Sequence, residues 1–157
     1  MIELIVYLGI ATVALLVFYG FAADVMRSAA RAKTTSDVQE NARIVMSRIT
    51  QDIRTTDTAA VSGSLLELTK TIGGAPTTTC YDLASNVAKS GTCTGVGCLC
   101  AVSDSLSDNT VSVTTLSFDD SSAPKIKVDV TVEPHVIGTA DTVALSTTIV
   151  PRSSLYQ

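Results

Sequence analysis

Residues 4–23 are twenty consecutive residues without a charge, and no other feature constrains this chain as strongly. A helix over that run, at about 1.5 Å per residue, spans about 30 Å, the thickness of a bilayer's hydrocarbon. One carboxylate, Glu3, sits at its lip. An ionised carboxylate beside hydrocarbon is costly unless paired, so Glu3 asks for a positive partner; the plainer alternative is that it snorkels to the headgroups. A cleavable secretory signal would show a basic n-region and a shorter apolar core, and this N-terminus has neither, so the run reads as a genuine membrane helix. The nearest cations, Arg27, Arg31 and Lys33, come after the run, and the positive-inside rule would then leave the remainder in the cytoplasm. Four cysteines in a small domain instead suit an oxidising compartment. The two agree if a short basic leader once preceded Met1 and was removed.

The helical pattern continues past the apolar run. Val38, Ala42, Val45, Ile49 and Ile53 recur at helical spacing, with Gln39, Glu40, Arg43, Arg48, Gln51 and Asp52 on the other faces. No proline interrupts residues 1–57, so one long helix is expected, bent near Gly20 if anywhere, with the stripe of its second half packed on the C-terminal remainder of the chain. After Thr58 the composition turns to short Thr- and Val-rich runs at 65–72, 78–83, 98–102, 111–118, 125–133 and 142–150, separated by Gly, Pro, Asp and Ser. These are expected strands. "KIKVDVTVE" alternates strictly, which places Ile126, Val128, Val130 and Val132 on a buried face and leaves the other face wet. In "VSVTTLSF" the apolar phase slips between Val113 and Leu116, so a bulge is expected near Thr114. The expectation is an α+β chain: a membrane-spanning helix at 1–23, its amphipathic continuation at 24–57, and an antiparallel β head at 58–157 packed on the continuation.

The head holds nine acidic against five basic residues, and no basic patch with interleaved aromatics occurs anywhere, so nucleic acid is not an expected partner. Its aromatics are Tyr81, Phe118 and Tyr156, a thin supply for about 100 residues. The cysteines Cys80, Cys93, Cys98 and Cys100 lack the paired spacing of common zinc sites, so disulfides are expected. Cys98 and Cys100 on a strand would share a face at the upper distance limit for bridging each other, which gives them different partners. "CTGVGC" allows a tight turn, so nested Cys93–Cys98 and Cys80–Cys100 bridges are preferred to a crossed pair, each typically worth about 2–4 kcal/mol. Catalytic signals are scarce. His135 stands beside Pro134 in an expected loop with no nucleophile motif, "GVGCLC" lacks the lysine of a phosphate loop, and Asp104, Asp108, Asp119 and Asp120 fall in no calcium-loop register. No enzyme activity, metal or cofactor is expected.

"MIELIVYLGI" together with "VQENARIVMSRITQDIR" resembles the type IV pilins and the related type II secretion pseudopilins, whose processed chains open with an F-T-L-I-E-L-like motif. Glu3 matches that motif's glutamate. The family has two more residues ahead of it, which would make Met1 an internal residue of the natural chain. Gly20 lies where many members carry a helix-breaking proline and could serve the same local melting. The segment 39–54 and the closing "TTIVPR" are similar to minor pilins and J-type pseudopilins. The resemblance implies a subunit of a homo-oligomeric helical filament, released from the inner membrane by assembly machinery after a prepilin peptidase has acted, and finally displayed outside the cell. It also implies that Glu3 pairs with the N-terminal amine of a neighbouring subunit. A main pilin, a minor pilin or a pseudopilin each fits; an anchored periplasmic enzyme or binding domain is the alternative of a different class.

Overall fold

The computed structural model describes residues 2–95, 98, 100–122, 124–135 and 142–152. The chain forms two compact units, Met1–Ser36 and Asp37–Gln157. Helix α1, Ile2–Thr55, contributes its first part to one and its last part to the other, and is unbroken at Gly20, Ser36 and Asp37.

In the first unit the helix stands with its apolar side chains bare on every side. Ile2 is 82% exposed, Leu16 72% and Tyr19 77%. Its one described ion pair, Arg27 with Asp24 at 3.6 Å, is solvent-exposed and contributes little.

The second unit is built on the last part of α1, whose buried residues are Val38, Ala42, Val45, Ile49 and Ile53, the stripe expected from the spacing. Against it lie two antiparallel sheets. The first has the order β1 (Thr58–Ser62), β2 (Leu65–Ile72), β3 (Ala75–Ala84), β4 (Val87–Thr94), β5 (Asp104–Ser105); the second has β6 (Val111–Asp119), β7 (Ile126–Pro134), β8 (Val143–Ile149). Hairpin turns are made by residues that tolerate left-handed backbone: Gly73 and Gly74 between β2 and β3, and Ser85 with Asn86 between β3 and β4. The register of β6 against β7 shifts between Val113 and Thr115, so the expected bulge is present. Ile126, Val128, Val130 and Val132 are all buried, while Lys127 and Asp129 on the other face form a 3.0 Å ion pair. Leu66, Leu68, Tyr81, Ala88, Leu116 and Phe118 complete the core against the helix. Truncating Ile49 to Ala should cost about 2–5 kcal/mol, read as a shift in the urea midpoint of the head with unchanged m-value.

The sheets differ from expectation in three places. There are two sheets where one was expected. Strands β1, β4 and β5 are additional, since "TAAVS" and the two-residue β5 are short and "VAKSGTCT" places Lys, Ser and Gly where apolar alternation would have marked a strand. No strand forms at 98–102 among its described residues, because this segment crosses over the sheet instead of joining its edge. Ala101 O would lie only 2.1 Å from a Cβ on Gly91, so only glycine allows the crossing. The segment then rejoins the sheet, with Ser103 N donating to Ser90 O at 3.0 Å and β5 pairing with β4.

The joint between helix and sheet is closed by side chains. Thr56, 2% exposed, donates its hydroxyl to Thr69 O at 2.8 Å. Asp57 N donates to the same carbonyl at 3.0 Å, and Asp57 Oδ2 accepts from Thr71 N at 2.8 Å. At the other end of this helical stretch Asn41 Oδ1 accepts from Asp108 N at 3.0 Å, fixing the turn that leads into β6. These bonds satisfy backbone groups that the helix end and the loop would otherwise leave orphaned.

Candidate functional site

Glu3 lies in the first turn of α1, where the helix macrodipole favours an acidic side chain. It is exposed, and no described residue forms a salt bridge with it. Its own unit therefore supplies no counter-charge among the described residues, which do not include Met1. Gly20 is helical, and beyond its chain neighbours and the helix's own backbone no atom lies within 4 Å of where its Cβ would stand, so packing within the chain does not require glycine there. Thr12 donates its hydroxyl back to Gly9 O at 2.8 Å, which keeps this polar group satisfied inside an apolar helix. The helix is long and apolar enough to cross a membrane. A contiguous apolar surface of this size on a chain in water marks a lipid or protein contact.

The four cysteines are joined as Cys80–Cys100 and Cys93–Cys98, with Cα separations of 6.1 and 6.0 Å. Cys80 is fully buried on β3, so its bridge holds the crossing segment down on the outer face of the first sheet. Cys100 Sγ rests 3.7 Å from Thr78 O and 3.8 Å from Gly91 O. The smaller bridge closes the loop after β4.

One cluster had no signal in the sequence. Tyr81, 1% exposed, reaches from β3 to the helix and donates its hydroxyl to Asp52 Oδ2, while Arg48 Nε stands 3.5 Å from the same oxygen. Arg48 and Asp52 are one helical turn apart on a face that looked merely solvated, and only the sheet's position makes Tyr81 their partner. Burial, and then the bond to Asp52, raise the Tyr81 phenol well above its ordinary range. Ionisation is therefore harder in the folded chain. The stability this contributes is complete below about pH 10, the unfolded phenol's pKa, and is lost as pH rises beyond it. Tyr81→Phe should cost about 1 kcal/mol near neutrality and flatten the alkaline loss of stability, as read by urea unfolding across that range. An unchanged alkaline slope would show that Tyr81 is not the group responsible.

The remaining candidates occupy structural positions. Asp108 Oδ1 accepts from Asn109 N at 2.6 Å and Asp119 Oδ1 from Ser121 N at 2.8 Å, both in turns, and the latter bond holds Asp119 below the usual carboxylate range. The Asp129 carboxyl is also lowered, first by Ser146 and then by Lys127. His135 is exposed, with its backbone N donating to Thr110 O at 3.3 Å. Among the described residues no group of three His, Cys, Asp or Glu side chains is placed to hold a metal ion.

No protein-family model matches the chain, and no curated protein does. Among solved structures it is similar to a type IV-like pilin from Thermus thermophilus, with a TM-score of 0.60 at 8% identity, covering 73% of this chain and 97% of that one. At so low an identity the likeness is one of fold. The fold is pilin-like: a single long N-terminal helix with antiparallel sheets packed on its later part.

Proposed function

We propose that this chain is a structural subunit of a type IV pilus-like filament, held in the inner membrane by residues 1–23 before assembly and displayed outside the cell afterwards. The observation that carries the proposal is the bare apolar helix of the first unit, joined to a head of pilin-like fold. In a membrane lipid covers that surface; in a filament the same helices of neighbouring subunits cover it. Glu3 then pairs with the N-terminal amine of an adjacent subunit. A carboxylate and an ammonium attract strongly in a low-dielectric core, and either one alone is heavily penalised, so the pair sets the register of one helix on the next. Gly20 serves as the point at which the helix can open locally, since glycine is among the weakest helix formers and nothing packs on it. A prepilin peptidase and the assembly machinery act on the chain before and during extraction, and the disulfides form outside the cytoplasm. The role is architectural and uses no cofactor.

The test is to shear surface filaments from cells and identify this chain in them by mass spectrometry, with its abundance separating a main from a minor subunit. A chain found only in the membrane fraction while filaments form without it would defeat the proposal in favour of a secretion pseudopilin or an anchored domain. A second expected result concerns partition. Residues 27–157 alone should be soluble and monomeric by light scattering, since the truncation removes the bare apolar helix and keeps Val38, Ala42, Val45, Ile49 and Ile53 on the sheets.

A further inference from the structure

Strands β1 and β8 are an outer edge each of the two sheets; the first sheet's other edge is β5, two residues long and carrying Asp104. The second sheet turns its other edge inward, with β6 lying against β3 and β4 and Val113 N donating to Asn86 O at 2.8 Å. Among the described residues, β1 and β8 are therefore the two longer edges with no strand hydrogen-bonded to their outer side. Natural sheets protect free edges with charge, proline or bulges, because a bare edge presents unpaired N–H and C=O groups to any passing strand. On β1 and β8 that protection is missing. Each of the six strands β2 to β7 carries at least one charged residue, while β1 ("TAAVS") and β8 ("VALSTTI") carry none, and neither contains proline or a register shift. Both strands also leave apolar side chains only partly covered on their core-facing side: Ala59 and Val61 on β1, Val143 and Leu145 on β8. Pairing the two edges would continue that apolar face and satisfy both rows of backbone groups at once.

We infer that β1 of one copy of this chain adds to the β8 edge of the next, so that neighbouring heads share an intermolecular sheet. The inference rests on the filament proposal. A contact between two different edges is heterologous and, where its rotation does not close a ring, propagates along an open helical assembly, whereas β1 on β1 or β8 on β8 would close a dimer and stop. The contact is short, five residues on the β1 side. By itself it is too weak to hold isolated heads together, in keeping with the monomer expected of residues 27–157, and it becomes effective once the apolar helices have fixed the subunits side by side.

The test uses filaments of the full chain carrying Ala60→Cys together with Ala144→Cys, Ser146→Cys or Thr148→Cys, all at exposed positions. Cross-strand Cα distances of about 4.5–5.5 Å are within disulfide reach, so mild oxidation of sheared filaments should give a ladder of covalent oligomers on a non-reducing gel from at least one pair. Single-cysteine variants should give none. Filaments without a ladder from any pair, or dimers from Ser146→Cys alone, would overturn the shared sheet while leaving the filament proposal standing. Absence of this chain from any filament defeats that proposal, and the shared sheet with it. Where a cysteine pair impairs assembly, charge decides: Ala144→Glu, opposite Thr131 on β7, should lower filament yield by about tenfold without changing the head's thermal midpoint, and adding Ala60→Lys, opposite Glu67 on β2, should restore it. Normal yield from Ala144→Glu overturns the inference.

Discussion

Substituting Glu3 with Ala should nearly abolish filaments while leaving the subunit in the membrane at normal or higher level. Insertion loses nothing, because the change removes a charged side chain from the N-terminal edge of the apolar run. Assembly loses one member of a charge pair and leaves the neighbouring ammonium in an apolar core. Breaking such a pair costs about 3–5 kcal/mol where it is well buried, and the loss recurs at every subunit contact along the fibre. Glu3→Gln should fall between the two, since an amide accepts a hydrogen bond but does not neutralise a cation. Raising the salt concentration should do little to rescue either variant, because screening is weak away from solvent. The measurement is the mass of sheared filament per unit of membrane-retained subunit. Normal yield from Glu3→Ala would mean that the carboxylate only snorkels, and that register is set by the apolar helices and the heads.

Among the described glycines of the head, Gly91 should be the one least tolerant of alanine. The new Cβ would meet Ala101 O at 2.1 Å and Ala101 C at 2.7 Å, and both are backbone atoms with no rotamer to retreat into. The crossing segment is pinned two ways, by Cys80–Cys100 beside Ala101 and by Ser103 N on Ser90 O, so it has little room to lift. A loss of about 3 kcal/mol is expected, at the upper end of ordinary overpacking. The same substitution in a Cys80→Ala, Cys100→Ala background should cost distinctly less, since the segment is then free to move away from the sheet. That non-additivity, read from urea unfolding of the four variants, separates a clash against a pinned segment from a general dislike of alanine at this position. Additive costs would show that the bridge does not hold the segment down.

The long helix, its change from an all-round apolar surface to a single stripe, and the alternation of β7 were legible because each is a periodicity written in one short window. Val38, Ala42, Val45, Ile49 and Ile53 identify themselves by spacing, and so do Ile126, Val128, Val130 and Val132, without knowledge of what covers them. The bulge in β6 was legible for the same reason, as a slip of phase inside one strand. Spacing and turn glycines likewise sufficed to prefer nested cysteine pairs.

What the tertiary structure decided lies between distant segments, where no local pattern carries information. Strand β4 is held by its neighbours β3 and β5 and not by its own apolar content, so nothing in its own residues marked it. The segment at 98–102 has strand-like composition but lies across the sheet, because Gly91 leaves a gap in the surface and Cys80 lies within bridging reach. Tyr81 became the partner of Asp52 and Arg48 only once β3 was laid on the helix, a contact between residues 29 apart in the chain. The division into two sheets, and with it the pair of uncharged edges, depends on which strands find one another. Local periodicity states which face of an element must be buried; which other element buries it is a matter of long-range packing, and a single sequence window does not contain the answer.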